Sequence, residues 1–183
     1  VSAIVDKPLT LPEVKEYEDS GDVDIVIESP EACGRYIGTT LKDIKVAALP
    51  EDKVQLLAAL GNNAISNIVD ITTFVFFEYG PPLHAFEYDK LEEHKIIVRW
   101  AKKGEKLLAL DDIEYALDET ILVIADAKKP VAIAGIMGGK ETAVTESTQN
   151  ILLESAYFDF GVIRRGSRKL GLASDSSYRF ERG

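Results

Sequence analysis

The spacing of apolar and polar residues predicts two helices early in the chain and short strands after them. The segment PEDKVQLLAAL, residues 50–60, reads as a helix because Pro50 suits a first turn and two acidic residues follow it. Gly61 comes directly after the segment and is a natural helix stop. We therefore predict a helix that ends at Gly61.

The next segment, ISNIVDITTFVFFEYG, carries signals for both helix and strand. Its β-branched and aromatic residues favour a strand, whereas Ile68, Ile71 and Val75 recur at helical spacing. Ser66 can cap a helix start, and Gly80 before a proline can end one. We predict a second helix, which forms a short hairpin with the first and ends at the Pro-Pro turn.

Short apolar runs separated by charged turns predict the strands. An early run, DVDIVIE, alternates polar and apolar residues at period two. The later runs are HKIIVRWA, KLLAL, IEYAL, TILVIAD, PVAIAG and QNILLESAYFD. A basic helix, FGVIRRGSRKLG, follows and closes at Gly171. The predicted fold class is α+β, with a helical hairpin packed on a mostly antiparallel sheet or small barrel core.

The first thirty residues differ in texture from the rest of the chain. Pro8, Pro12 and an acidic run precede the early strand, and the chain begins with valine. We predict that residues 1–30 form a linker and an N-terminal strand, that residues 31–183 form the main domain, and that the chain is a fragment of a longer one.

The net charge of −10 argues against a domain that grips nucleic acid over a broad surface. The charge is uneven, however, because residues 161–183 contain six basic and two acidic residues. This tail could meet phosphate or an acidic partner, or it could be a solvated helix face. A single cysteine, Cys33, fits a reducing cytoplasm, and no apolar run of about 18 residues predicts a membrane span.

Three features could carry chemistry. The segment AGIMGGKET resembles a phosphate loop, but Ala134 and Glu141 break that motif, which leaves a glycine turn or a backbone that approaches a ligand. Glu154 stands in an apolar strand, and a buried carboxylate needs a partner, either an arginine of the tail or a ligand hydroxyl. His84 follows two prolines and is either a catalytic histidine or an ordinary polar residue.

Five stretches together resemble the central tRNA-editing domain of the bacterial-type phenylalanyl-tRNA synthetase beta subunit. The resemblance extends from about residue 31 to residue 183. The stretches are ACGRYIG, NIVDITTFVFFEYGPPLHAF, VAIAGIMGG, NILLESAYFD and IRRGSRKLGLASDSSYRFERG.

The resemblance implies a reaction and its partners. The domain would hydrolyse tyrosine wrongly esterified to phenylalanine tRNA, using a positioned water and no protein nucleophile, metal or cofactor of its own. ATP and magnesium would act elsewhere in the full ligase, and the fragment alone would have no ligase activity. The implied partners are the 3′ end of phenylalanine tRNA, the alpha subunit and the remaining domains of the beta subunit, all in the cytoplasm.

The resemblance also implies roles for particular residues. Glu154 would recognise the tyrosine hydroxyl, while Ala134 and Gly135 would leave room for the ring. His84 and Thr72 would act at the ester and the terminal ribose. The rest of the implied substrate-binding set is Thr73, Ser176 and Pro82.

Two positions depart from the family pattern. The chain has Thr73 where the family has asparagine, and Ser176 where it has alanine. Threonine lacks an amide that donates and accepts, and serine adds a hydroxyl. Two functions therefore remain open: an active editing hydrolase, or a catalytically decayed structural or RNA-binding module of the same synthetase.

Overall fold

The computed structural model describes residues 21–182 together with Asp6, Pro8 and Glu13, so most of the predicted linker lies outside the described residues. The helices are α1 (Glu51–Ala59), α2 (Asn67–Tyr79), α3 (Phe160–Leu170) and α4 (Asp175–Phe180). The strands are β1 (Asp24–Ile27), β2 (Cys33–Leu41), β3 (Leu83–Glu87), β4 (Lys95–Trp100), β5 (Lys106–Leu108), β6 (Glu114–Ala116), β7 (Leu122–Ala125), β8 (Pro130–Ile133), β9 (Met137–Gly138) and β10 (Ile151–Phe158).

A five-stranded sheet forms the larger part of the core, in the order β1-β4-β7-β8-β9. The β1–β4 pair is parallel and the other pairs are antiparallel. Every residue of β7 and β8 is buried. Because these buried side chains are closely packed, the sheet holds the turns at its edges in fixed positions.

A three-stranded antiparallel sheet has the order β2-β10-β3, so β10 is its central strand. Helix α2 packs against β3. In this register Glu154 of β10 lies opposite Gly38 on one side and opposite His84 on the other. Residues directly opposite in an antiparallel pair point to the same face, so Glu154 and His84 share one face of the sheet.

The predicted α+β class is confirmed, and so are the positions of the two early helices. Ser66 caps α2, where its side chain accepts a hydrogen bond from the Val69 amide at 3.4 Å. Gly80 follows the helix with a φ of 97°, which glycine adopts readily. In the described part of the chain the two larger sheets are open, and β5 and β6 pair as a third, two-stranded sheet, so the alternative of a small closed barrel does not form.

Three elements differ from the sequence-based expectations. Strand β3, which carries His84, is absent from the predicted strands, and it forms because the chain pairs with β10 directly after Pro82. Strand β2 was not predicted, since glycines at positions 34 and 38 weaken its local signal. Helix α4 was also not predicted, because it has only six residues and depends on a capping box between Ser174 and Ser177.

The early strand DVDIVIE appears as β1, which pairs with β4 at the edge of the five-stranded sheet. It therefore belongs to the same sheet as residues of the main domain. The division of the chain at residue 30 stays a prediction. None of the helices in the described part of the chain is long and apolar enough to cross a membrane.

Candidate functional site

A first cavity, of about 80 Å³, lies where the face of the three-stranded sheet meets the β8–β9 hairpin and helix α4. It brings together most of the residues that the sequence singled out, from distant parts of the chain. Its lining consists of Pro82, Leu83, His84, Ile124, Ala132, Ile133, Gly135, Ile136, Met137, Gly138, Glu154, Ser176 and Phe180.

Glu154 is the buried acid of the first cavity, with 6 % of its surface exposed. Its Oε2 accepts a hydrogen bond from the Tyr36 hydroxyl at 3.1 Å. Burial raises the pKa of Glu154 to about 8, and the hydrogen bond from Tyr36 only partly opposes that shift. The side chain is therefore largely protonated and neutral at pH 7.

The protein partner of Glu154 differs from the one that the sequence suggested, while a ligand hydroxyl stays a prediction. The protein partner is a tyrosine of β2, not an arginine of the tail. Sequence reasoning missed Tyr36 because no local pattern links two residues 118 positions apart. The available signal was the stretch ACGRYIG, which the family resemblance already included.

His84 faces the same cavity and is half-buried. Burial lowers its pKa to about 4, so the imidazole is neutral at pH 7. Its ring packs edge-on against Phe86, with the ring centroids 4.5 Å apart. A Cβ atom at Gly138 would lie 2.5 Å from Cε1 of His84, so the absence of a side chain at Gly138 makes room for the imidazole.

The glycine segment forms the tight turn between β8 and β9, and it also lines the cavity. Gly135 has a φ of 66°, and a Cβ atom there would lie about 3 Å from the rings of Phe158 and Phe180. The Ser176 hydroxyl donates a hydrogen bond to the Gly135 carbonyl at 3.1 Å. Ala134 is fully buried and does not reach the cavity, because its side chain packs into the core instead.

A second cavity, of about 140 Å³, adjoins the first and shares Pro82, Leu83 and Ser176 with it. Thr72 and Thr73 line this second cavity and do not reach the first. The rest of its lining is Asn62, Phe76, Phe77 and Asp175.

Both threonine hydroxyls are already hydrogen-bonded within helix α2. The hydroxyls of Thr72 and Thr73 donate to the Val69 carbonyl at 2.7 and 3.1 Å. Each hydroxyl oxygen still has lone pairs that can accept a hydrogen bond from a ligand. Thr73 therefore offers an acceptor at a position where the resemblance leads us to expect asparagine.

Helix α4 joins the walls of the two cavities. Ser174 donates a hydrogen bond to the Ile136 carbonyl at 2.6 Å, at the β8–β9 turn. Arg179 donates from Nε to the Gly80 carbonyl at 2.9 Å, and its guanidinium lies 5.3 Å from the Phe76 ring centre. Through these contacts helix α4 links the β8–β9 turn to the C-terminal end of α2 and fixes the distance between them.

The basic residues of the tail lie mostly on the exposed side of α3. Arg164, Arg165 and Arg168 are exposed, while Lys169 forms an ion pair with Asp118 at 2.6 Å. Within residues 21–182, no group of three or more histidine, cysteine, aspartate or glutamate side chains is placed to hold a metal ion. Cys33 is buried, and burial raises the pKa of its thiol to about 11.

Comparison with known proteins shows the family of the chain. The B3/4 domain model matches residues 32–183, so the chain belongs to the B3/4 domain family. Along its whole length it is homologous to phenylalanine–tRNA ligase beta subunits, at 48 % identity to those of Moorella thermoacetica and of Aquifex aeolicus. It spans only 23 % of the length of these relatives.

A solved structure agrees at the level of the fold. An N-terminal fragment of the phenylalanyl-tRNA synthetase beta subunit from Pyrococcus horikoshii superposes with a TM-score of 0.57 at 16 % identity. The similarity covers 89 % of this chain and 52 % of that one. The sequence relatives confirm the predicted relation to the beta subunit, and this structure supports the fold.

Proposed function

We propose that this domain is the editing site of a phenylalanine–tRNA ligase beta subunit, and that it hydrolyses tyrosine esterified to phenylalanine tRNA. The observation that carries the proposal is the pairing of Glu154 with His84 across β10 and β3, on the wall of one cavity. One side chain can recognise a hydroxyl, and the other can orient an ester or a water.

Recognition depends on the buried carboxyl of Glu154. A tyrosine ring in the first cavity would place its hydroxyl against Glu154, whereas a phenylalanine ring would leave one oxygen of the carboxyl unpaired. A pocket that must hydrogen-bond a hydroxyl rejects the analogue without it by about 10⁴–10⁵. The aminoacylation site, which fits the apolar phenylalanine ring, rejects an added hydroxyl far less strongly, by about a hundredfold. A separate site built around Glu154 supplies the missing discrimination.

Hydrolysis would use a water that attacks the ester carbonyl, with the 3′-terminal ribose hydroxyl of the tRNA as leaving group. Because His84 is neutral at pH 7, it can accept one hydrogen bond and donate another, and so hold this water or the ester. Donors fixed before the substrate arrives need no reorganisation during the reaction. His84 is therefore assigned an orienting role.

The second cavity is the natural place for the terminal nucleoside of the tRNA. It carries the acceptor oxygens of Thr72 and Thr73 and the aromatic rings of Phe76 and Phe77. Hydroxyl groups suit a ribose, and aromatic rings stack on bases of single-stranded RNA. The ester bond would then lie beside Pro82, Leu83 and Ser176, the residues that the two cavities share.

In this proposal the domain acts as one part of a larger enzyme in the cytoplasm. The alpha subunit and the other domains of the beta subunit would supply most of the tRNA contacts, and ATP and magnesium would serve aminoacylation elsewhere. No cofactor is assigned to the domain itself. A catalytically decayed module of the same synthetase would have no need for a buried acid beside an open cavity, so no finding favours that alternative.

The test is deacylation of tyrosyl-tRNA(Phe) by the complete ligase. Glu154→Ala should reduce the clearance of tyrosine at least a hundredfold, while aminoacylation with phenylalanine stays unchanged. Glu146→Ala, which alters an exposed carboxylate, is the matched control and should clear tyrosine normally. Normal clearance by Glu154→Ala would show that this carboxyl does not recognise the substrate.

A further inference from the structure

The hydrogen bond between Tyr36 and Glu154 assigns a task to a residue outside the first cavity. We propose that Tyr36 is a positioning residue that determines specificity: it holds one oxygen of the Glu154 carboxyl and thereby presents the other oxygen to the substrate hydroxyl. This inference rests on the proposed editing function and adds to it a residue of β2 that does not line the cavity.

The register of the three-stranded sheet explains why Tyr36 can reach the acid. Tyr36 lies opposite Ala156, two residues along β10 from Glu154, so both side chains point to the same face. The position directly opposite Glu154 on β2 is Gly38, which has no side chain to stand between them. His84 occupies the other flank of Glu154. The carboxyl therefore has a protein partner on one side and the cavity on the other.

Burial makes this hydrogen bond a fixed feature of the site. Tyr36 has 8 % of its surface exposed and Glu154 has 6 %, so water competes little with either group. Burial, reinforced by the neighbouring carboxyl of Glu154, raises the pKa of Tyr36 well above its usual value, so the phenol keeps its proton and remains a donor. The Tyr36 hydroxyl donates to Oε2. Among the described residues, Tyr36 is the hydrogen-bond partner of this carboxyl, and no second hydrogen bond reaches Oε1.

This arrangement also decides whether Oε1 of Glu154 donates or accepts a hydrogen bond. A protonated carboxyl has one O–H donor, and Oε2 already serves as an acceptor for Tyr36. The carboxyl proton is therefore favoured on Oε1, where it can donate to the phenol oxygen of a bound tyrosine. Phenylalanine has no oxygen at that place. Without Tyr36 the carboxyl could rotate, and the oxygen that faces the ligand could be either the donor or the acceptor.

The experiment compares Tyr36→Phe with the wild-type ligase in deacylation of tyrosyl-tRNA(Phe) and phenylalanyl-tRNA(Phe). The variant loses one oxygen atom and keeps the ring that packs in the core. The ratio of kcat/KM for the tyrosyl ester to that for the phenylalanyl ester should fall about tenfold, mainly through a higher KM for the tyrosyl ester. Tyr157→Phe removes an exposed hydroxyl on the neighbouring strand and should leave the ratio unchanged.

A second measurement needs no substrate. The unfolding free energy of the 183-residue chain should fall as the pH rises toward the folded pKa of Glu154, because the buried carboxyl then has to ionise. The hydrogen bond from Tyr36 lowers that pKa, so its loss should extend this decline to higher pH. In a Glu154→Ala background, Tyr36→Phe should change neither this decline nor the substrate ratio. A merely structural tyrosine would lower stability equally at every pH.

The possible outcomes separate the two proposals. If Tyr36→Phe keeps the wild-type ratio and the wild-type pH profile while Glu154→Ala loses clearance, the role of Tyr36 is refuted and the editing function stands. If Glu154→Ala also clears tyrosine normally, the proposed recognition itself is wrong.

Discussion

The two larger sheets of this domain differ in how a buried ionisable side chain is partnered. In the five-stranded sheet, Arg99 is 7 % exposed, and Glu105 pairs with it through both oxygens at 2.9 and 2.8 Å. In the three-stranded sheet, Glu154 has only a tyrosine partner and stays neutral. A fully paired charge serves the fold, whereas an acid with one oxygen left over is available to a ligand.

The strands around these residues differ in the same sense. Strands β7 and β8 are buried at every position, as expected for the centre of a core. Strand β3, which carries His84, is buried only at Phe86 and half-buried elsewhere. The comparison indicates that the five-stranded sheet supports the site and that the three-stranded sheet bears its chemistry.

The largest expected effect comes from breaking the paired charge. Arg99→Ala leaves Glu105 without its partner, and such a change costs roughly 3–5 kcal/mol of unfolding free energy. Urea denaturation of the 183-residue chain measures this cost. Lys106→Ala breaks an exposed pair with Glu114 and should leave the unfolding free energy almost unchanged. Equal costs for the two variants would show that burial does not strengthen the pair between Arg99 and Glu105.

A smaller loss of stability is expected where the two sheets meet, at Gly138. Gly138→Ala would place a methyl group 2.5 Å from Cε1 of His84 and displace the imidazole. Overpacking of this kind typically costs about 1–3 kcal/mol, and clearance of tyrosine should fall with it. Gly34→Ala meets only the movable ring of Tyr157 at 3.2 Å and serves as the control. Normal clearance by Gly138→Ala would mean that the position of His84 does not matter for the reaction.

The smallest expected effect is the change of the unfolding free energy with pH. The folded pKa of Glu154 lies above its ordinary value of 4.5, so its contribution to stability is present below pH 4.5 and is lost as the pH rises toward 8. The folded pKa of His84 lies below its ordinary value of 6.5, so its contribution is present above pH 6.5 and is lost as the pH falls toward 4. The two slopes oppose each other between pH 4.5 and 6.5.

Above pH 6.5 only the Glu154 slope remains, and stability should fall by roughly 1–2 kcal/mol by pH 8. Glu154→Gln keeps the shape of the neutral acid but cannot ionise, so it should abolish this decline. Denaturation curves of both chains at pH 6.5 and pH 8 provide the measurement. An unchanged decline in the variant would assign it to other groups.

Local signals were enough to predict several elements. Helices α1 and α2 have their own stop residues, and α2 also has its own cap, so no distant contact was needed to predict them. Strand β10 stood out through its apolar run. Strand β2 and helix α4 have weak local patterns and exist because β10 and the β8–β9 turn offer them hydrogen bonds. Their prediction would have required knowledge of the sheet register.

The sequence by itself determined the α+β class, the helix ends, and the presence of an acid in an apolar strand and a histidine after two prolines. Only the tertiary structure decided that Glu154 lies opposite His84 and that Tyr36 holds its carboxyl. The physical reason is that these contacts depend on strand pairing between distant segments, which no local spacing encodes. Burial, which neutralises both titratable groups at pH 7, likewise exists only once the sheets have packed.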